Sequence, residues 1–212
     1  ERARRLRHGQ PNFRLVRYAD DWCLMVRGTR AQAEALREDI AAVLATMGLR
    51  LSPDKTLITH IDEGLDFLGW HIQRRRKRGT SCSYVYVHPS TKSVLAVKRK
   101  IKTLRRTVEP SQPLDDLLRR INSTLQGWAG YFRAGVSSAT FSYLSHYTWQ
   151  TVWRWLRRKH RKSTWKQLRR RYCGGGWWPT TEDRMLIDLE KIGTTRYRYR
   201  GAVIPSPWPT DE

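Results

Sequence analysis

With 212 residues and 39% apolar side chains, the chain can fold around a core, which sets aside intrinsic disorder. Its formal net charge of +22 calls for a polyanionic partner. No run reaches membrane-spanning length, no signal peptide is visible, and three cysteines without C-x-x-C spacing indicate neither a disulfide framework nor a zinc site.

The chain begins Glu1-Arg2-Ala3-Arg4-Arg5 without a starting Met and enters a strand within about a dozen residues, so a C-terminal piece of a longer protein is expected. Apolar runs at 13–16 and 22–26 read as two strands of a hairpin with Tyr18-Ala19-Asp20-Asp21 at its tip. Two adjacent carboxylates repel each other, and a divalent cation is one reason to keep them together: Mg²⁺ is held by one or two carboxylates plus substrate phosphates. A solvated turn is the other reading, since Asp is a common turn residue.

Leu36, Ile40, Val43, Leu44 and Met47 recur at three and four residues, the helical period, and Gly48 offers a C-terminal cap. Residues 49–56 read as a short extended piece and a turn, residues 57–61 as a strand and residues 67–72 as another. The basic run 74–78 forms a turn into a strand at 84–87; it is a solvated tip or a phosphate contact.

From Thr91 the pattern turns helical. Val94, Val97, Ile101, Leu104 and Val108 form one apolar stripe, and Lys98, Arg99, Lys102, Arg105 and Arg106 cover much of the remaining surface. A second stripe runs from Leu114 to Phe132 and is ended by Gly135. A third runs from Phe141 to Leu156 and passes into the basic stretch that includes Arg154, Arg157 and Arg158. Three helices with short connections form a small bundle, with the aromatic stripes as its core. Residues 163–172 read as a short basic helix, 173–179 as a flexible Gly-rich break, and 185–192 and 196–200 as a small tail.

The charge is uneven. Residues 1–90 carry net +6 and residues 173–212 net −1, whereas residues 91–172 hold 20 Lys+Arg against 3 Asp+Glu, a net +17. The middle third is therefore the expected nucleic-acid surface, and arginine interleaved with ten Trp and nine Tyr suits backbone contacts with base stacking.

The order of parts resembles the back half of a group II intron-encoded reverse transcriptase and maturase. The resemblance rests on the Y-A-D-D hairpin, Gly48-Leu49-Arg50-Leu51-Ser52-Pro53-Asp54-Lys55-Thr56, Phe67-Leu68-Gly69-Trp70, and Leu125-Gln126-Gly127-Trp128-Ala129-Gly130-Tyr131-Phe132. It implies an α+β fold: residues 1–90 as the rear of a polymerase palm, 91–162 as an all-α thumb and maturase domain, and 163–212 as a basic helix, a break and the start of a DNA-binding tail. It implies that Asp20 and Asp21 hold catalytic Mg²⁺, that Tyr18 and Ala19 flank the primer terminus and incoming nucleotide, and that Phe67, Leu68, Gly69 and Trp70 grip the primer. Lys55 matches a lysine near the triphosphate or is an exposed turn lysine; Trp70 suits a core position equally.

The implied activity is RNA-directed DNA synthesis with help to intron folding and splicing. Implied partners are group II intron RNA, an RNA template with DNA primer, and a dNTP, in a bacterial cytoplasm without membrane attachment. The fingers and a further palm aspartate of that family are not in this stretch, so the chain alone is expected to be inactive and to need an N-terminal polymerase half. Two other readings remain: an RNA-binding maturase fragment without polymerase chemistry, and a basic nucleic-acid-binding fold whose Y-x-D-D is coincidental.

Overall fold

The computed structural model describes residues 2–195; the tail segment expected at 196–200 lies outside the described residues. In chain order the elements are α1 (Arg2–Arg7), β1 (Asn12–Tyr18), β2 (Asp21–Arg27), α2 (Arg30–Thr46), β3 (Leu65–Phe67), β4 (Trp70–Arg76), β5 (Ser83–Pro89), α3 (Thr91–Thr107), α4 (Leu114–Phe132), α5 (Ser138–Lys159) and α6 (Trp165–Tyr172), followed by a 3-10 turn at Leu189–Lys191. Strands β1 and β2 form a two-stranded antiparallel sheet; the other three form a sheet in the order β3-β4-β5. The class is α+β.

The chain divides into two units. The first takes the chain up to Leu68 plus Ile72–Tyr84; the second takes Gly69–His71 and the chain from Val85 onward.

In the first unit, β1 and β2 pair in continuous register from Asn12↔Arg27 to Tyr18↔Asp21, leaving a two-residue connection. Helix α2 opens on a capping box: Gln32 N donates to the Thr29 hydroxyl at 3.3 Å, and Thr29 N to the Gln32 amide oxygen at 2.9 Å. It closes on a Schellman turn, with Gly48 N donating to Ala45 O and Leu49 N to Leu44 O, each at 3.0 Å. Gly48 has φ +71°, so glycine is the residue that fits there. No described side chain of this unit is buried, and Leu15 and Met25 are 57% and 51% exposed.

Two expected strands take other forms. Residues 57–61 are not a strand: Glu63 N and Gly64 N both turn back onto His60 O, so this backbone closes a local turn instead of a ladder. Residues 67–72 are not one continuous strand either. Leu68 (φ +49°) and Gly69 (φ +79°) both adopt left-handed backbone and form the two-residue link between β3 and β4.

The second unit holds all the buried apolar side chains described. Helix α3 contributes Val97 and Ile101, α4 contributes Leu117, Leu118, Ile121 and Leu125, and α5 contributes Phe141, Leu144, Trp155 and Leu156. The apolar stripes spaced for helix–helix packing become that core. The Trp155 indole donates to Val108 O at 2.8 Å, and Lys159 Nζ donates to Pro110 O at 2.6 Å and Gln112 O at 2.7 Å, closing the α3–α4 connection. Leu168, Cys173, Leu186 and Leu189 belong to the same core.

Two features of this unit depart from expectation. Helix α4 stops at Phe132, before Gly135. Gly135 is instead a close-approach position, because a Cβ there would lie 2.3 Å from Trp70 Cζ3 and 2.7 Å from Val87 O. The Gly-rich segment after α6 is a folded turn rather than a loose break. Gly176 N donates to Cys173 O at 2.7 Å, Thr180 N to Tyr172 O at 2.7 Å, and Pro179 is buried.

Candidate functional site

The first candidate lies at the β1–β2 tip. Ala19 and Asp20 span the connection, and Tyr18 pairs with Asp21 at its base. Asp20, Asp21 and Tyr18 are exposed. Ala19 has φ +49°, a conformation an L-residue adopts at a cost of roughly 1–2 kcal/mol. Its carbonyl accepts from Arg17 Nε at 2.9 Å, which holds the turn from one side.

Two adjacent carboxylates offer hard oxygen donors of the kind Mg²⁺ takes, together with phosphate oxygens. The donor set therefore fits that ion. Among the described residues no group of three or more His, Cys, Asp or Glu comes together to hold a metal.

Lys55 is exposed in a turn whose amides, Lys55 N and Thr56 N, both donate to Ser52 O, at 3.1 and 2.9 Å. Farther along this unit, Arg74 grips Asp62 through Nε at 2.6 Å and Nη2 at 2.8 Å. That hydrogen-bonded pairing pulls the Asp62 carboxyl below its ordinary range.

The residues at 67–70 divide in character. Trp70 is half-buried and packs edge-on against Phe132 at 4.8 Å and against Tyr131 at 5.7 Å, so its ring belongs to the second unit's packing. The Gly69 carbonyl accepts from Ser90 N and from Ser93 Oγ, each at 2.9 Å. Phe67 ends β3, and Leu68 occupies the turn.

The second candidate is the cationic surface of the second unit. Arg99, Lys102 and Arg106 on α3 and Arg154, Arg157 and Arg158 on α5 are exposed, and Arg105 is half-buried. Among the described residues of this unit, the ion pairs are Arg119 with Asp116 and Arg184 with Asp115; none uses these cations.

Lys98 differs from its neighbours. Its ammonium donates to the Tyr143 hydroxyl and sits over the rings of Tyr143 and Tyr147, 4.9 and 4.8 Å from their centroids. It is tied into the α3–α5 packing. Sequence reasoning did not single out Lys100, which borders a groove of about 570 Å³ between α3 and α4 with Trp128 and Tyr131. Nor did it single out Ser90 and Ser93, although a Ser-x-x-Ser at a helix start is a capping signal.

No helix among the described residues is long and apolar enough to cross a membrane.

Residues 2–72 match the family described as reverse transcriptase (RNA-dependent DNA polymerase), and residues 94–173 match the group II intron maturase-specific domain. Protein YkfC of Escherichia coli is 42% identical over 85 residues, which is 40% of this chain and 22% of YkfC. The group II intron-encoded protein LtrA of Lactococcus lactis is 31% identical over 109 residues, 51% of this chain and 16% of LtrA. A 91 kDa protein in the cob intron of Schizosaccharomyces pombe is 29% identical over 143 residues, 59% of this chain and 18% of that protein. The matched stretches thus cover about a fifth of the length of these relatives. With a reverse-transcriptase match at residues 2–72 followed by a maturase-specific match at residues 94–173, the chain belongs to the group II intron reverse transcriptase and maturase family.

Proposed function

We propose that this chain supplies the metal-binding tip of an RNA-directed DNA polymerase, together with the helical unit that holds intron RNA during folding and splicing. The observation that carries the reading is the Asp20–Asp21 pair at a strained, exposed hairpin tip, in the same chain as a cationic helical unit. Such strain persists where surrounding structure maintains it, and it clusters at functional positions.

In this reading Asp20 and Asp21 hold Mg²⁺ beside the primer 3′ end. When bound, the ion activates the attacking hydroxyl and stabilises the leaving oxygen. Tyr18 and Ala19 flank the primer terminus and incoming dNTP. Lys55 lies toward the triphosphate, where an ammonium offsets charge building on the departing pyrophosphate. Phe67, Leu68, Gly69 and Trp70 grip the primer, with the Trp70 ring and the Gly69 carbonyl themselves held by Phe132 and Ser93.

The RNA contact rests on charge. With 20 basic and 3 acidic residues at 91–172, the cations of α3 and α5 have few internal counterions, and RNA phosphates take that place. Residues 1–90, 91–162 and 163–212 then serve as palm, thumb with maturase domain, and C-terminal extension.

The test is Mg²⁺-dependent extension of a DNA primer on an RNA template, for the chain alone and joined to the remaining reverse-transcriptase sequence of a relative. The joined protein should extend the primer, and its Asp20→Asn variant should bind RNA normally and make no product. Near-normal extension by that variant removes the metal role. Extension by neither form, with RNA affinity retained, leaves an RNA-binding maturase without polymerase chemistry.

A further inference from the structure

The end of the second unit carries aromatic surface that none of these roles uses. Trp165 opens α6, and Arg169 follows one turn later on the same face. The Trp165 ring is backed by Trp153 at 4.0 Å and Trp149 at 5.8 Å, yet 43% of the residue remains exposed. The Arg169 guanidinium lies 4.3 Å from the centroid of the Trp177 ring, and Trp177 is 60% exposed.

The backbone holds this arrangement. Gly174 and Gly175, with φ +49° and +89°, reverse the chain after α6. The Trp149 indole then donates to Trp177 O at 2.8 Å. Burial does not explain Trp177, since most of the residue faces water. What the contacts achieve is to fix two flat rings at the surface, each supported from within the protein.

Lys162, Lys166 and Arg170, near Trp165 in the chain, are exposed, with no acidic partner among the described ion pairs. Held aromatic faces with adjacent cations are the elements of single-strand recognition. Bases stack on the rings, the backbone follows the cations, and the protein loses little entropy because the rings are already ordered.

We propose that Trp165 and Trp177 form a stacking platform for unpaired bases of RNA, with Arg169 as the positioning residue for Trp177. RNA is the occupant because α6 falls within the match to the group II intron maturase-specific domain. The proposal rests on the RNA-binding reading of this unit and adds a site for unpaired nucleotides distinct from the phosphate contacts of α3.

The experiment measures fluorescence anisotropy of an end-labelled, unpaired RNA oligonucleotide with the full chain across a salt series. Trp177→Ala should weaken binding by about tenfold and leave the slope of log affinity against log salt unchanged, because stacking releases no counterions. Trp177→Phe should recover most of that loss, which a misfolded variant would not. Lys166→Gln should instead flatten the slope by about 0.7. Unchanged affinity in both Trp165→Ala and Trp177→Ala overturns the platform, and tighter binding of the matching DNA oligonucleotide overturns its assignment to RNA. A combined Arg99→Glu and Lys102→Glu variant separates the two readings. If it binds structured RNA normally, the RNA reading of α3 fails; if it loses binding while both tryptophan variants keep theirs, only the platform fails.

Discussion

The Ser93 hydroxyl donates to the Gly69 carbonyl at 2.9 Å, the same oxygen that the Ser90 amide reaches at 2.9 Å. Ser90 is also the N-cap of α3, accepting from Ser93 N at 3.2 Å, so one pair of serines both starts the helix and anchors the turn. Gly69 sits at φ +79°, with room for no more than a hydrogen on its Cα: a Cβ would lie 2.9 Å from Ser93 Oγ.

Gly69→Ala should therefore destabilise the second unit by about 1–3 kcal/mol, through left-handed strain and the displaced serine. Ser93→Ala should cost about 1 kcal/mol, since Ser90 N still satisfies the carbonyl. Urea midpoints at constant slope report both values, and no loss in either variant would contradict the shared anchor.

Gly135 and Gly130 should respond in opposite directions. A Cβ at Gly135 meets the Trp70 ring at 2.3 Å and a backbone carbonyl at 2.7 Å, so Gly135→Ala should cost about 1–3 kcal/mol of overpacking. A Cβ at Gly130, within α4, meets nothing within 4 Å, so Gly130→Ala should be neutral or gain up to about 1 kcal/mol of helix propensity. Thermal unfolding of the two variants under one condition makes the comparison.

Lys98 and its neighbours should separate stability from binding. Lys98→Ala removes a hydrogen bond and two cation–π contacts, an expected loss of about 1–2 kcal/mol of stability. Arg99 and Lys102 are exposed, so reversing both to Glu should lower affinity for structured RNA by about tenfold or more and leave the unfolding midpoint in place.

His160 should make stability depend on pH. Burial first, then the charges of Arg171 and Lys159, holds its imidazole below the ordinary 6.5. The unfolded chain thus binds a proton at a pH where the folded chain does not, and stability falls as pH drops below about 6.5. The neutral ring lies 2.6 Å from the Tyr172 hydroxyl across the α5–α6 junction. His160→Gln should remove the dependence in the window just below about pH 6.5. Asp62, held down by Arg74, loses its contribution only below about 3.8, outside that window. An unchanged pH profile in the glutamine variant would assign the dependence to other groups.

The sequence by itself determined what short-range rules decide. Apolar residues at helical spacing marked α2 to α5, Gly48 marked the end of α2, and two apolar runs around Tyr18-Ala19-Asp20-Asp21 marked the β1–β2 hairpin. Each signal needs only neighbours within about one turn or one strand pair. The +17 concentration of charge was equally legible, because charge is a sum over residues and needs no fold.

The tertiary structure alone decided which partner each side chain met. Nothing local distinguishes Lys98, held between two tyrosines of α5, from Lys102, which faces water. Nor does local pattern show that the Trp70 ring packs against Phe132, that Gly135 exists to admit it, or that Trp177 folds back over Arg169. Residues 57–61 carried strand-like composition, but a strand exists only where another backbone completes its hydrogen bonds, and here the chain turned back on His60 instead. Periodicity tells which face of an element turns inward; what it meets there depends on residues far along the chain.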